Sequence, residues 1–174
     1  KDIASWKELT DDEKFTFIHA LAGLTGLDTH QADDGMPLIG LHTQDLRKKA
    51  VYSFMGMMEQ IHAKSYSHIF TTLLPSAETN DLLDNWVVNE PHLKFKSEKI
   101  VSRYHKLWGK EATIYDQYMA RVASVFLETF LFYSGFYYPL YLAGQGRMTT
   151  SGEIIRKILL DESIHGVFTG LDAQ

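Results

Sequence analysis

Apolar residues recur along this chain at helical spacing, and four long segments carry them. Ile18, Leu21 and Leu24 fall at i, i+3 and i+6. They share one face of a helix that starts at Thr10, where Thr10 and Glu13 form a capping-box pattern and Asp11 and Asp12 place negative charge at the positive end of the helix dipole. Asp28 continues that face. Taken alone it reads as a solvated acid on a helix end fraying toward Asp33, Asp34 and Gly35, and Gly35, Met36 and Pro37 break the pattern. Thr43 and Asp45 open a second helix over about residues 44 to 73. Its stripe reads Val51, Met55, Met58, His62, Tyr66, Ile69 and Leu73, flanked by Glu59. At about 1.5 Å per residue it spans about 45 Å.

Pro75, Ser76 and Pro91 punctuate residues 75 to 111, which read as two shorter amphipathic helices forming a connection. His92 and His105 lie there among lysines and read as solvated surface histidines. A third long helix runs from about Ile114 to Leu142, carries Glu128, and is expected to bend at Gly135 and Pro139. Gly144 and Gly146 end it. Thr150 and Glu153 form a second capping-box pattern, opening a last helix whose inner face reads Ile154, Ile158, Glu162 and His165. No strand pattern, low-complexity tract or linker interrupts the series, so the class predicted is all-α, one domain over residues 1–174.

Composition narrows the chemistry. The chain has no cysteine, which excludes thiolate metal sites, thiol nucleophiles and disulfides and suits a reducing compartment. A net charge of −5 without a Lys/Arg cluster argues against nucleic acid as a partner. Residues 122 to 144 are long and apolar enough to resemble a membrane span. With Glu128 inside the stretch and aromatics spread throughout it, the expectation is a fully buried central helix, no membrane, and a cytoplasmic protein.

A near-repeat supplies the functional hypothesis. A helix with one inward acid is followed by a helix with a Glu-x-x-His pair, 31 residues on from Asp28 to Glu59 and 34 residues on from Glu128 to Glu162. The pairs are Glu59 with His62 and Glu162 with His165. Residues three apart share a helix face about 5 to 6 Å apart at Cβ, close enough to ligate one ion. A single Glu-x-x-His pair is common by chance, but two, each matched by an acid on another apolar helix, make the residue set that defines di-iron and di-manganese four-helix bundles. Burying four carboxylates costs several kcal/mol each unless they are neutralised, and two divalent cations cancel all four charges. Oxygen-rich donors with one imidazole per ion suit iron or manganese over zinc.

Beyond these residues, the segments SWKELTDDE, GLTGLD, MEQIHAKSYSHIF, VFLETFLFYSGF and IRKILLDESIHG resemble, in order and spacing, the radical-generating small (beta) subunit of class Ib ribonucleotide reductase. FLFYSGF is characteristic of class Ib as against class Ia. The resemblance implies a ferritin-like homodimer with two manganese or two iron ions held by Asp28, Glu59, His62, Glu128, Glu162 and His165. It makes Tyr66 the radical-bearing tyrosine, one turn beyond His62, with Phe132, Phe136 and Ile158 forming a dry pocket for it. Asp161 matches an acid that orients His62 and lies on the radical-transfer route. Thr129 and Tyr133 match positions at the oxidant channel, although serine is common at the first of these. The implied partners are a large catalytic subunit of ribonucleotide reductase and a flavodoxin-like activating protein.

Two departures temper the resemblance. Position 28 leaves no room upstream for the family's radical-path tryptophan, and Trp6 matches a different, structural one. The chain also stops nine residues after His165, so the expectation is a ferritin-like domain shortened at both ends relative to the family. The competing reading is a ferritin-like di-metal ligand-binding oxidase, and a third is a metal store or a structural bundle.

Overall fold

The structure, a computed structural model, describes residues 1–109 and 111–174. Its ten α-helices are α1 (Asp2–Glu8), α2 (Asp11–His30), α3 (Met36–Leu41), α4 (Leu46–Leu73), α5 (Ser76–Asp81), α6 (Val87–Asn89), α7 (Pro91–Tyr104), α8 (Ile114–Phe126), α9 (Phe132–Gly144) and α10 (Thr149–Ala173). Among the described residues there is no strand. Single π-helical turns join α2 to α3, α5 to α6 and α8 to α9 without a break. The bundle is made by α2, α4, the α8–α9 rod and α10. In it α2 packs on α4 and α9, and α10 packs on α8 and α9.

Local chemistry sets most of the helix starts. Thr10 and Glu13 form the expected capping box, at 3.2 and 2.9 Å. Asp45 caps α4 by accepting from the backbone N–H of Arg47 at 2.8 Å. Thr113 and Asp116 box the start of α8, and Glu90 with Pro91 opens α7. Each cap satisfies backbone donors that the first turn leaves orphaned.

The start of α10 is different. Thr150 and Glu153 form no box; Met148 takes the left-handed conformation (φ 51°, ψ 38°) ahead of the helix. The cap comes instead from the other end of the chain, where the carboxylate of Asp2 accepts from the N–H groups of Thr150 at 3.0 Å and Ser151 at 2.7 Å and from the Ser151 hydroxyl at 2.7 Å. A carboxylate at a helix N-terminus also meets the positive end of the dipole.

Three expectations need correction. The chain does not break at Gly35, Met36 and Pro37. The π turn Gln31–Gly35 carries the helix on to Leu41, with Pro37 in its first turn, where a missing N–H is tolerated. The buried stripe of α4 is Tyr52, Met55, Glu59, His62, Tyr66, Ile69 and Phe70, so Glu59 lies within it and Val51 is outside. The helix over 122–144 is not buried all round. Phe126, Phe130, Tyr133, Tyr137 and Tyr141 are exposed, because α2 and α10 cover only the faces that carry Leu127, Phe132, Phe136 and Leu142. Gly135 is also a close contact: a Cβ there would lie 2.5 Å from Leu24 Cδ2, so its absence lets α9 approach α2. No described helix is long and apolar enough to cross a membrane.

Candidate metal centre

The bundle buries one carboxylate-rich cluster among the described residues. α2 contributes Asp28, α4 contributes Glu59 and His62, the π turn before α9 contributes Glu128, and α10 contributes Glu162 and His165. Each lies on a stripe of helix that is otherwise apolar, which is why folding drives it inward. Asp28, Glu59, Glu128 and Glu162 are wholly buried and both histidines nearly so. Asp28 is thus a core residue and not the solvated acid of a fraying helix end.

The ligand-capable atoms form two overlapping groups, each with its atoms within 4.8 Å of one another. One is Asp28, Glu59, His62 and Glu162, and the other is Glu59, Glu128, Glu162 and His165. Glu59 and Glu162 belong to both and so stand between two ion positions. Nδ1 of His62 lies 2.9 Å from Glu162 Oε1, 3.3 Å from Glu59 Oε2 and 3.6 Å from Asp28 Oδ1. Nδ1 of His165 lies 2.7 Å from Glu59 Oε1 and 2.9 Å from Glu162 Oε2. One ring nitrogen carries at most one proton and cannot satisfy several carboxylates. Both oxygens of Asp28 and Oε2 of Glu128 make no hydrogen bond, and Oε1 of Glu59 and Oε1 of Glu162 meet only the shared imidazole nitrogens. Orphaned, buried, anionic oxygens converging with imidazole nitrogens fit a pair of divalent cations, which would serve every one of them.

Without cations, protons must offset the charge. Burial pushes the carboxyl of Asp28 well above the usual range, with Glu162 and Glu59 adding to it. Burial does the same to Glu128, with Glu59 and Glu162 adding again. Burial also acts on Glu162, but its contacts with His165 and His62, ahead of Glu128, outweigh it and hold this carboxyl at about 2. Burial alone would lower the two imidazoles. Asp28, Glu162 and Glu59 lift His62 well above its ordinary value, and Glu162 and Glu59 lift His165 to about 9. These protons occupy the places that metal binding would empty.

Around the cluster, Nε2 of His62 lies 3.2 Å from Oδ2 of Asp161, whose side chain is partly exposed. Tyr66 is fully buried and its hydroxyl has no hydrogen bond. Burial first, then the negative charge of Asp28, Glu162 and Glu59, holds that phenol well above its usual value. Phe132, Phe136 and Ile158 are buried in the same core as Tyr66. Thr129 and Tyr133 are exposed; the Thr129 hydroxyl donates to the Val125 carbonyl of its own helix, and the Tyr133 phenol lies 3.4 Å from Ser163 Oγ.

Two residues, one touching the cluster and one behind it, escaped sequence reasoning. Gln31 is wholly buried and donates through Nε2 to Glu128 Oε1 at 2.5 Å and to Ser124 Oγ at 2.8 Å. Tyr104, wholly buried and from the segment expected to be only a connection, donates to Gln31 Oε1 at 2.5 Å. The one available signal was that Gln31 follows Asp28 by a single turn; nothing local marks Tyr104. In the same segment His105 is not simply solvated, for its Nε2 lies 3.2 Å from Asp34 Oδ1. His92 is exposed, as expected.

A bundle of long helices that buries four carboxylates and two histidines in two overlapping groups belongs, by architecture and site, with the ferritin-like di-metal carboxylate proteins. Within that class, the chain belongs to the family of the ribonucleotide reductase small chain, whose family model matches residues 1–174. It is 50% identical over 174 residues to the ribonucleoside-diphosphate reductase subunit beta of Bacillus phage SPbeta, and 51% identical to that of Bacillus subtilis (strain 168). Each alignment covers 99% of this chain and 52% of the relative. The fold superposes on the X-ray structure of dimanganese(II)-NrdF from Streptococcus sanguinis with a TM-score of 0.89 at 38% identity, covering 99% of this chain and 58% of that one. A ribonucleotide reductase R2 subunit from Clostridium botulinum gives 0.87 at 32% identity, covering 97% and 52%. The chain spans about half the length of the curated relatives it matches.

Proposed function

We propose that this chain is the metal-binding part of a class Ib ribonucleotide reductase small subunit, which generates and stores a radical on Tyr66 for export to a large catalytic subunit that makes deoxyribonucleotides. The ligands are Asp28, Glu59, His62, Glu128, Glu162 and His165, and the ions are two manganese or two iron. The observation that carries this reading is Tyr66 itself, a wholly buried phenol without a hydrogen bond, one helical turn from His62 and within the field of three cluster carboxylates. Once bound and oxidised by dioxygen or by the oxidant an activating protein delivers, the ions would supply the chemistry that accepts one electron from a nearby phenol, whose proton leaves with it.

The protein's part is to position and protect. Asp161 accepts from Nε2 of His62 and so leaves Nδ1 free to ligate. Tyr66 is wholly buried with no hydrogen-bond partner for its hydroxyl, which keeps the phenol in its neutral, protonated form until it is oxidised. Phe132, Phe136 and Ile158 exclude water and offer no readily abstracted hydrogen. The exposed pair Thr129 and Tyr133 marks the path by which an oxidant from a flavodoxin-like activator enters. The exposed apolar side chains Phe54, Met57 and Ile61 on α4 suit the homodimer.

Reconstitution with iron and oxygen, or with manganese and the activating flavoprotein, should give a tyrosyl radical by electron paramagnetic resonance that Tyr66→Phe abolishes. An unchanged signal in that variant removes Tyr66 from the role. A ligand-binding oxidase of the same bundle type would consume its oxidant equally well with phenylalanine at position 66.

A further inference from the structure

The two halves of the cluster are buttressed differently. In the group containing Asp28, the outer contact falls on the imidazole, through Asp161. In the group containing Glu128, it falls on the carboxylate, through Gln31. One turn of α2 therefore reaches both ion positions, with Asp28 a ligand candidate for one and Gln31, three residues on, touching the carboxylate of the other.

The orientation of the Gln31 amide follows from its neighbours. Its Nε2 faces Glu128 Oε1 and Ser124 Oγ, and its Oε1 faces the Tyr104 hydroxyl. Reversing the amide would set its oxygen against a carboxylate oxygen and leave two lone-pair groups in contact. With the amide fixed, Tyr104 must donate to Gln31, and Gln31 must donate to Glu128. Both hydrogen bonds thus point toward the ion position, and each strengthens the other. Oε1 of Glu128 is occupied by this chain of donors, while Oε2 has no partner.

The arrangement is also built sterically. Gly35 closes the π turn that begins at Gln31, and a Cβ at position 35 would lie 2.5 Å from Gln31 Oε1 and 3.0 Å from the Tyr104 ring. Only glycine leaves room for the phenol to reach the amide.

We infer that Gln31 is a positioning residue for the second ion: with Tyr104 behind it, Gln31 holds Glu128 in the single pose that offers Oε2 as a one-oxygen ligand to the ion shared with Glu59, Glu162 and His165. This rests on the metal-centre reading above. Partners that orient a ligand in this way typically contribute about 10- to 100-fold in metal affinity.

The test is anaerobic titration of the metal-free 174-residue chain with Mn(II), following free Mn(II) and the spin-coupled pair by electron paramagnetic resonance. In Gln31→Leu one of the two binding steps loses about 10- to 100-fold in affinity and the spin-coupled signal falls, while the other step stays within about threefold. Tyr104→Phe, which removes one hydroxyl from the core, weakens the same step by a smaller factor and provides the answer if Gln31→Leu fails to fold. Equal weakening of both steps, or no change in either, in variants with native helicity overturns the inference. Wild-type chain that takes up no Mn(II) removes the metal centre and this inference with it. Two ions bound equally well with or without Gln31 would leave the metal centre standing and remove only the inference.

Discussion

His62 is held from both sides of its ring, with Nε2 3.2 Å from the Asp161 carboxylate and Nδ1 2.9 Å from Glu162. The outer contact keeps a proton on Nε2, so that the inner nitrogen would be the one to give up its proton and present a lone pair when a cation binds. Asp161→Ala frees the ring to adopt the other tautomer and to rotate. Manganese affinity at the position containing Asp28 is expected to fall about 10-fold, measured by competition with a metal chelator. Because the Asp161 side chain is partly exposed, the fold should survive with little change in melting temperature. Unchanged affinity would show that the packing of α4 alone orients the ring.

Glu162 and Asp28 should differ in how much they remove. Glu162 stands in both groups of the cluster and Asp28 in one. Glu162→Ala therefore takes a ligand from both positions, and metal content measured by elemental analysis should drop for both ions. Asp28→Ala should spare the ion held by Glu59, Glu128, Glu162 and His165. Equal losses in the two variants would mean that the ions bind only as a pair.

Much of this site could be read in the sequence because each candidate ligand lies on an apolar helical stripe, and stripes are local. His62 and Tyr66 between Met55 and Ile69 advertise their inward direction by spacing, whereas Asp28, though it continues the face of Ile18, Leu21 and Leu24, reads alone as a solvated acid. The near-repeat of acid and Glu-x-x-His then made the four separate helices one hypothesis. What stayed hidden depends on contacts between residues far apart in sequence. Tyr104 reaches Gln31 across 73 positions, and Asp2 reaches Ser151 across 149; neither leaves a periodic trace. The π turns at Gln31–Gly35 and Leu127–Leu131 were equally invisible, since one added residue per turn shifts a face without changing residue types. The Thr150 and Glu153 pattern misled because a distant carboxylate had already taken the capping place.

That distant cap makes a prediction of its own. Asp2→Ala strips the first turn of α10 of three hydrogen bonds to one carboxylate, and loss of an N-cap typically costs about 0.5–2 kcal/mol. The melting temperature should fall by about 2–6 °C for a domain of this size. Asp2→Asn should recover part of the loss, because it retains one acceptor oxygen. In contrast, Glu153→Ala should change stability by no more than about 0.5 kcal/mol. If Glu153→Ala is the more damaging of the two, the capping box operates after all.

Asp172 supplies the pH dependence. It lies in the last turn of α10, where the helix dipole disfavours an acid, and burial pushes its carboxyl upward. Lys48 Nζ at 2.7 Å, Arg121 Nε at 2.6 Å and the Tyr52 hydroxyl at 2.7 Å overcome both and hold it at about 2. A folded value below the unfolded value of about 3.9 means that the unfolded chain binds the proton more readily. The contribution is therefore complete above about pH 5 and is lost as pH falls from about 4 to 2. Asp172→Asn removes the charge, leaves Lys48 and Arg121 without their counterion, and should destabilise the protein by about 1.5–3 kcal/mol at neutral pH. In urea titrations the gap between wild type and variant should hold steady from pH 8 to 5 and close below pH 4. A gap that persists undiminished at the acid end would mean that the Asp172 charge does not tie α10 to α4 and α8.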